Sequence, residues 1–103
     1  MDKIFGLIGL AKRAGKTAGG EFSVTASIKD KSAKLVIIAI DASDNTKKNI
    51  SNSCRYYNID YIEYGGLEEL GKFTGSEIRA VVSVKDSGFA DAIKKHFEHT
   101  QGF

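Results

Sequence analysis

The chain has neither proline nor tryptophan, contains a single cysteine, and lacks any long uninterrupted run of apolar residues. Because one cysteine has no partner within the chain, Cys54 excludes an internal disulfide and is compatible with a reducing compartment. No apolar run approaches the roughly 20 residues that a membrane-spanning helix needs. Lys12 and Arg13 interrupt the short apolar stretch near the N-terminus, so we expect no signal peptide. These absences predict a cytoplasmic protein.

The length and the charge of the chain define its class only broadly. Its 103 residues fit one domain, which we expect to span residues 1–103, and 42% of them are hydrophobic, as in an ordinary globular protein. The net charge is only +2, but residues 1–34 carry seven basic and three acidic side chains, a net charge of +4. Concentrated positive charge supplies a sequence-independent attraction to nucleic-acid phosphates. A solvated basic surface is the alternative interpretation.

Helical and strand patterns alternate along the whole chain. Residues 35–40 are apolar at every position, which predicts a central strand covered by helices on both faces. The alternation predicts an α/β fold, a three-layer α/β/α sandwich around a largely parallel or mixed sheet. No pattern is present after His96. The predicted helices cover residues 2–14, 20–30, 44–57, about 67–73 and 86 or 87 onward, and the predicted strands cover residues 16–19, 35–40, 60–64 and 80–84.

The stretch from Gly9 to Thr17 resembles the phosphate-binding loop of nucleotide hydrolases. That loop has four residues between its first glycine and its Gly-Lys-Thr end, whereas this chain has five. The extra residue breaks the cradle of backbone amides, and the helical pattern of residues 4–11 leaves no strand before the loop. Both histidines, His96 and His99, lie in the same C-terminal segment, so no Ser-His-Asp site can be assembled. We therefore expect no enzyme and no metal site.

Two glycine-containing loops are candidate binding surfaces. Gly19 and Gly20 precede a predicted helix, whose exposed backbone amides would attract phosphate. The second loop, residues 71–75, presents Lys72 beside an apolar side chain. Charge, backbone donors and apolar side chains together suit folded RNA, although tight turns that require glycine are the simpler explanation of each loop alone. The basic residues close to the first loop are Lys12, Arg13 and Lys16.

Several stretches resemble, in order and spacing, a known family of RNA-binding proteins. They are Gly20, residues 33–39, Asp41–Ala42, Cys54, residues 59–61, Leu70–Gly71, Gly75 and Arg79. The chain is similar over about residues 14–93 to the kink-turn-binding ribosomal protein superfamily, which includes large-subunit ribosomal proteins and box C/D ribonucleoprotein core proteins. It most resembles the bacterial YlxQ-type branch, on residues 9–14, 20–21, 41–46, 54–57 and 86–90.

The resemblance implies a four-stranded mixed sheet between helices, together with RNA binding, no catalysis and no cofactor. It implies structured RNA as the partner, either kink-turn or ribosomal RNA, with the ribosome or translation factors as further partners. Neither DNA nor a membrane is expected. The alternative is a protein-interaction module that docks on a translation or transcription factor through the first or third helix.

The family reads RNA with a Gly-x-Asn-Glu-x-x-Lys motif at the start of the second helix. Gly20 stands on the glycine of that motif, but Phe22, Ser23 and Ala26 stand where the family has Asn, Glu and Lys. Three polar groups that read bases are therefore absent, and the resemblance implies an altered RNA preference. The residues expected to bind RNA are Lys12, Arg13, Lys16, Gly19, Gly20, Glu21, Phe22 and Ser23 on one side, and Lys72, Ile78 and Arg79 on the other.

Overall fold

The architecture, described for residues 2–100 by a computed structural model, is a four-stranded mixed sheet between two layers of helices. The strands are β1 (Thr17–Gly19), β2 (Leu35–Ile38), β3 (Tyr61–Glu63) and β4 (Val81–Val84). The helices within residues 2–100 are α1 (Lys3–Arg13), α2 (Glu21–Lys29), α3 (Asp44–Tyr57), α4 (Leu67–Thr74) and α5 (Ser87–Thr100). The predicted fold class is confirmed.

The sheet has the strand order β1-β4-β2-β3, so that β4 and β2 are its central strands. β2 runs parallel to β3, and β4 runs antiparallel to both β1 and β2. Every residue of β2 and β4 is buried, because α2 and α3 pack together on one side of the sheet while α1 packs on α4 and α5 on the other. Continuous apolar runs are typical of strands covered on both faces.

The structure differs from the sequence prediction by more than one residue at two element ends. β2 ends at Ile38: the Ala39 amide still donates to the Ala80 carbonyl (2.8 Å) in register with β4, and the Ile40 amide donates to the Gly65 carbonyl (2.8 Å), beyond the end of β3. The expectation of no pattern after His96 was wrong, because α5 continues to Thr100. Phe97 accounts for this extension, since its ring packs edge-on against Tyr64 with centroids 6.2 Å apart.

The stretch that resembles a phosphate-binding loop lies mostly within α1. Helix α1 runs from Lys3 to Arg13, so Gly9 is a helical residue that follows no strand among the residues described. Its N-terminus is capped by Asp2, whose Oδ1 accepts hydrogen bonds from the amides of Ile4 (2.8 Å) and Phe5 (3.1 Å). Within residues 2–100, no helix is long and apolar enough to cross a membrane.

Candidate nucleic-acid interface

One end of the sheet brings together two loops that are about 60 residues apart in sequence. The Gly20 amide, which directly follows β1, donates to the carbonyl of Val81, the first residue of β4 (3.1 Å). At the same end of the sheet, Ile38, the last residue of β2, pairs with Val81. The segment 19–23 and the segment 78–79, which the sequence assigned to opposite sides of one site, therefore lie side by side.

The side chain of Arg79 lies directly on the Gly19–Gly20 backbone. A Cβ atom on Gly19 would be 2.7 Å from Nε of Arg79, and one on Gly20 would be 3.3 Å from its Nη1. Among the residues described, Nε of Arg79 is the one buried side-chain polar atom that has no hydrogen-bond partner. Buried polar groups are normally paired, so this Nε is an exception, and within residues 2–100 the guanidinium forms no ion pair that would neutralise its charge.

The backbone around Arg79 is fixed by α4. The Arg79 amide donates to the Leu67 carbonyl (2.9 Å), and a Cβ on Gly71 would be 2.6 Å from the Glu77 carbonyl oxygen. Only glycine at position 71 allows the loop to pass so close to the helix. The loop before β4 is thereby held against α4, and this contact positions Arg79 at the Gly19–Gly20 turn.

The N-terminus of α2 offers free backbone donors at the same place. Gly20 precedes the helix with φ +88°, a left-handed conformation that favours glycine, and no side chain caps this helix end. The first amide with a partner inside the helix is that of Val24, which donates to the Gly20 carbonyl (3.0 Å). The three preceding amides therefore form an end that attracts anions. They belong to Glu21, Phe22 and Ser23.

The carboxylate of Glu21 is engaged with α3. Its Oε1 accepts a hydrogen bond from Oγ1 of Thr46 (2.9 Å), and the Thr46 amide donates to Oγ of Ser43 (3.1 Å), the residue that caps α3. This link joins the first turns of α2 and α3. Because Glu21 is held by Thr46, it acts as a brace between the two helices.

Three large apolar side chains are exposed at this end of the sheet. Phe22 is 89% exposed, Ile40 is 57% exposed and Ile78 is 56% exposed. Phe22 and Ile78 belong to the predicted site, but Ile40 was missed because the sequence pattern assigned it to a buried strand. We name the group the turn surface, and it consists of residues 19–23, Ile40, Ile78 and Arg79.

The predicted basic residues lie outside the turn surface. A Cβ on Gly75 would be 3.6 Å from Cε of Lys12, which places Lys12 at the end of α4, and Nζ of Lys72 is 5.8 Å from the centre of the Phe73 ring. Lys16 precedes β1 and therefore lies at the opposite end of that strand from Gly19. Within residues 2–100, no ion pair involves Lys12, Arg13, Lys16 or Lys72.

Comparison with known proteins identifies relatives across nearly the whole chain. A chain from Bacillus subtilis, the RNA-binding protein YlxQ, is 43% identical over 89 residues, which cover 86% of this chain and 89% of that protein. The RNA-binding protein YlxQ of Enterococcus faecium is 40% identical over 97 residues, which cover 94% of this chain and 93% of that protein.

Solved structures share the same fold. A Bacillus halodurans protein of unknown function has a TM-score of 0.88 at 34% identity, covering 92% of this chain and 96% of that one. The Giardia lamblia 15.5kD RNA binding protein has a TM-score of 0.77 at 16% identity, covering 92% and 85%, and supports the fold alone. The sequence profile of the ribosomal protein L7Ae/L30e/S12e/Gadd45 family matches residues 2–94. The resemblance predicted from the sequence is confirmed, and the chain belongs to the ribosomal protein L7Ae/L30e/S12e/Gadd45 family.

Proposed function

We propose that this chain is a non-catalytic, cytoplasmic RNA-binding protein that recognises structured RNA through the turn surface. Its membership of the family and the names of its relatives from Bacillus subtilis and Enterococcus faecium support RNA as the ligand. The observation that carries the proposal is the position of the Arg79 guanidinium on the Gly19–Gly20 backbone, beside the free amides of α2 and without an ion-pair partner within residues 2–100.

Each part of the turn surface suits a different part of an RNA. The α2 amides and the planar guanidinium of Arg79 suit phosphate oxygens or base edges, which accept hydrogen bonds. Phe22 presents an aromatic face to solvent, and unstacked bases of RNA loops stack on such faces. Ile40 and Ile78 add exposed apolar contacts nearby. The combination favours a bent or looped RNA over a continuous duplex.

The RNA preference differs from that of kink-turn readers with the full family motif. Phe22, Ser23 and Ala26 replace the usual Asn, Glu and Lys, and each lost base contact reduces discrimination by about 1–3 kcal/mol. Stacking on Phe22 replaces these lost contacts with one that every base can make. We therefore propose a kink-turn-like or ribosomal RNA with relaxed base specificity as the ligand, and the ribosome as the place of action.

A titration tests the proposed function. Wild-type protein is titrated with a kink-turn RNA and with a matched duplex at two salt concentrations, and the expected result is tighter binding of the kink-turn RNA. Arg79→Ala is expected to reduce that preference, whereas Arg55→Ala, which removes the same charge on α3 beside Tyr61, is the matched control. Equal affinity of wild type for both RNAs, or an Arg79→Ala protein that binds like wild type, would contradict the proposal.

A groove on α1 favours a second candidate function, docking on a translation or transcription factor. The groove has a volume of about 610 Å³ and contains Gly6, Leu7 and Phe73, together with Leu10, which is 46% exposed. A pull-down after nuclease treatment, comparing wild type with Leu10→Lys, tests it. A translation or transcription factor that binds wild type but not Leu10→Lys would support this function. If both proteins pull down the same partners, this function is contradicted.

A further inference from the structure

Three lysines lie next to one another just beyond the ends of three neighbouring strands, at the end of the sheet opposite the turn surface. Thr17 of β1 and Leu35 of β2 both pair with Val84 of β4. One residue further out, the Lys85 amide donates to the Lys16 carbonyl (2.7 Å), and the Lys34 amide donates to the Val84 carbonyl (2.8 Å). Lys16 and Lys85 therefore lie opposite each other, and Lys34, one residue before β2, lies beside this pair. We name Lys16, Lys34 and Lys85 the lysine rung.

The lysine rung is exposed and carries uncompensated charge. All three side chains are exposed, and within residues 2–100 none of them forms an ion pair. The ammonium of Lys34 reaches only a backbone oxygen, the carbonyl of Lys31, at 3.4 Å. Adjacent strands are about 4.8 Å apart, so the three Cα atoms span about 10 Å.

The C-terminal end of α2 adds further positive charge next to the rung. Lys29 and Lys31 are both exposed there. Asp30 lies between them: hydrogen bonds from Ser32 lower its pKa below the ordinary value, and the charge of Lys85 lowers it further. The contact between the Lys34 ammonium and the Lys31 carbonyl (3.4 Å) places this end of α2 beside the rung. Asp30 and Asp86 leave the surface of five lysines with a net positive charge.

Folding stability does not account for the rung. Like charges at directly opposite cross-strand positions repel each other and weaken a sheet, and Lys16 and Lys85 occupy such positions. The dipole of α2 favours cations at its C-terminal end, which explains Lys29 and Lys31 but not the three lysines on the strands. An anionic partner that supplies several closely spaced charges would relieve this repulsion.

We propose that the lysine rung, with the adjacent end of α2, binds the phosphate backbone of a second RNA segment. None of the large exposed apolar side chains in residues 2–100 belongs to this surface. Protein-binding surfaces and membrane-binding helices carry apolar groups at their centre, whereas contacts to a nucleic-acid backbone are polar and positively charged. The surface therefore fits phosphates better than an apolar partner.

The two RNA surfaces are too far apart to share one contact site. Lys34 and Ile40 stand at opposite ends of β2 and its extension, six residues apart, which corresponds to about 20 Å. The protein would thus bridge two RNA segments, one at each end of the sheet. This inference goes beyond the proposed function, and it relies on the proposed function only for the segment at the turn surface.

Duplex binding tests the rung by itself. The probe is a 20-base-pair RNA duplex without internal loops, and the variant is Lys34→Gln combined with Lys85→Gln. The slope of log K against log salt is expected to become shallower by about 2, about one for each lost phosphate contact. Lys3→Gln with Lys95→Gln, two exposed lysines outside the rung, is the matched control and should keep the wild-type slope. A rung variant with wild-type slope and affinity would overturn the inference.

A bridging experiment separates this inference from the proposed function. An immobilised kink-turn RNA is loaded with protein and then offered the labelled duplex, and wild type is expected to capture it. The rung variant should bind the kink-turn RNA and fail to capture the duplex. If wild type shows no preference for the kink-turn RNA over the duplex but the duplex slope still depends on the rung, the proposed function fails and the rung stands. If the rung were required for binding to phosphatidylglycerol vesicles and the protein did not bind the duplex, the inference that the rung binds RNA would be overturned.

Discussion

The Arg79 side chain occupies the space that a Cβ atom on Gly19 would need. The separation of 2.7 Å between that position and Nε is shorter than any ordinary contact of a Cβ atom. Two segments 60 residues apart in sequence thus fit together because one of them lacks a side chain. Gly19 belongs to β1 and has no left-handed backbone, and the three atoms nearest to an added Cβ all belong to Arg79.

Gly19→Ala is expected to displace Arg79 and to weaken binding of a kink-turn RNA about 10- to 100-fold, the range for losing a hydrogen bond from a charged group. The combined Gly19→Ala and Arg79→Ala protein should bind no more weakly than Arg79→Ala, because both changes remove the same interaction. A filter-binding or fluorescence titration measures these affinities. Additive losses would show that Gly19 acts independently of Arg79.

Gly6→Ala is the control for that substitution. A Cβ on Gly6 would meet no atom within 4 Å, and Gly6 lies inside α1. The change should therefore raise the free energy of unfolding by about 0.5–1 kcal/mol, since alanine favours the helix, and it should leave RNA affinity unchanged. Chemical denaturation and the same RNA titration measure the two effects.

Phe22→Ala is expected to reduce RNA affinity without changing stability. The Phe22 side chain is 89% exposed, so its loss should alter the free energy of unfolding by no more than about 0.5 kcal/mol. Loss of one base-stacking contact should reduce affinity by about 1–3 kcal/mol. Phe22→Tyr, which keeps the aromatic face, is the control and should bind like wild type. A Phe22→Ala protein with full affinity would exclude stacking at this position.

Asp2 should make the stability of the protein depend on pH in the acid range. Burial alone would raise the pKa of the Asp2 carboxyl, but hydrogen bonds from the Tyr64 hydroxyl and from the amides of Phe5 and Ile4 outweigh burial and lower that pKa. A lowered pKa in the folded state stabilises the protein above the unfolded pKa of about 3.9. This stabilisation should disappear as the pH falls through the folded pKa.

Asp2→Asn isolates the charge, because asparagine is also a good helix cap. The difference in unfolding free energy between wild type and Asp2→Asn should be constant from pH 5 to 7 and should shrink below about pH 4. Burial, followed by the bond to Asp2, raises the pKa of Tyr64 to about 12. Spectrophotometric titration of Asp2→Asn should therefore give a lower pKa for Tyr64. A pH-independent difference in stability would contradict this assignment.

Ser83→Ala should destabilise the protein while leaving RNA binding intact. The hydroxyl oxygens of Ser27 and Ser83 are 2.9 Å apart in the buried contact between α2 and β4. Removal of one partner leaves a buried polar group less well paired and should lower the free energy of unfolding by about 1–3 kcal/mol. The combined Ser27→Ala and Ser83→Ala protein should lose less than the sum of the two single changes. Denaturation curves of the four proteins measure this coupling.

The amino-acid sequence by itself determined the layers of the fold. The continuous apolar run from Leu35 and the helical spacing of Ile4 and Ile8 depend on neighbours in the chain, so local patterns predicted the central strand and the first helix. The positions of Gly20 and Arg79 in a family pattern likewise predicted the segments of the candidate site. Both are properties of residue order, which the sequence contains in full.

Only the tertiary structure decided which predicted residues stand together. It placed Arg79 on Gly19, added Ile40 to the turn surface, and set Lys16 on a rung with Lys34 and Lys85 at the other end of the sheet. Sequence proximity had grouped Lys16 with Gly20, but an extended strand carries its two ends about 3.3 Å further apart with each residue. The strand register then brings together lysines that are up to 69 positions apart. Long-range pairing of this kind depends on the packing of the whole sheet, which no local pattern encodes.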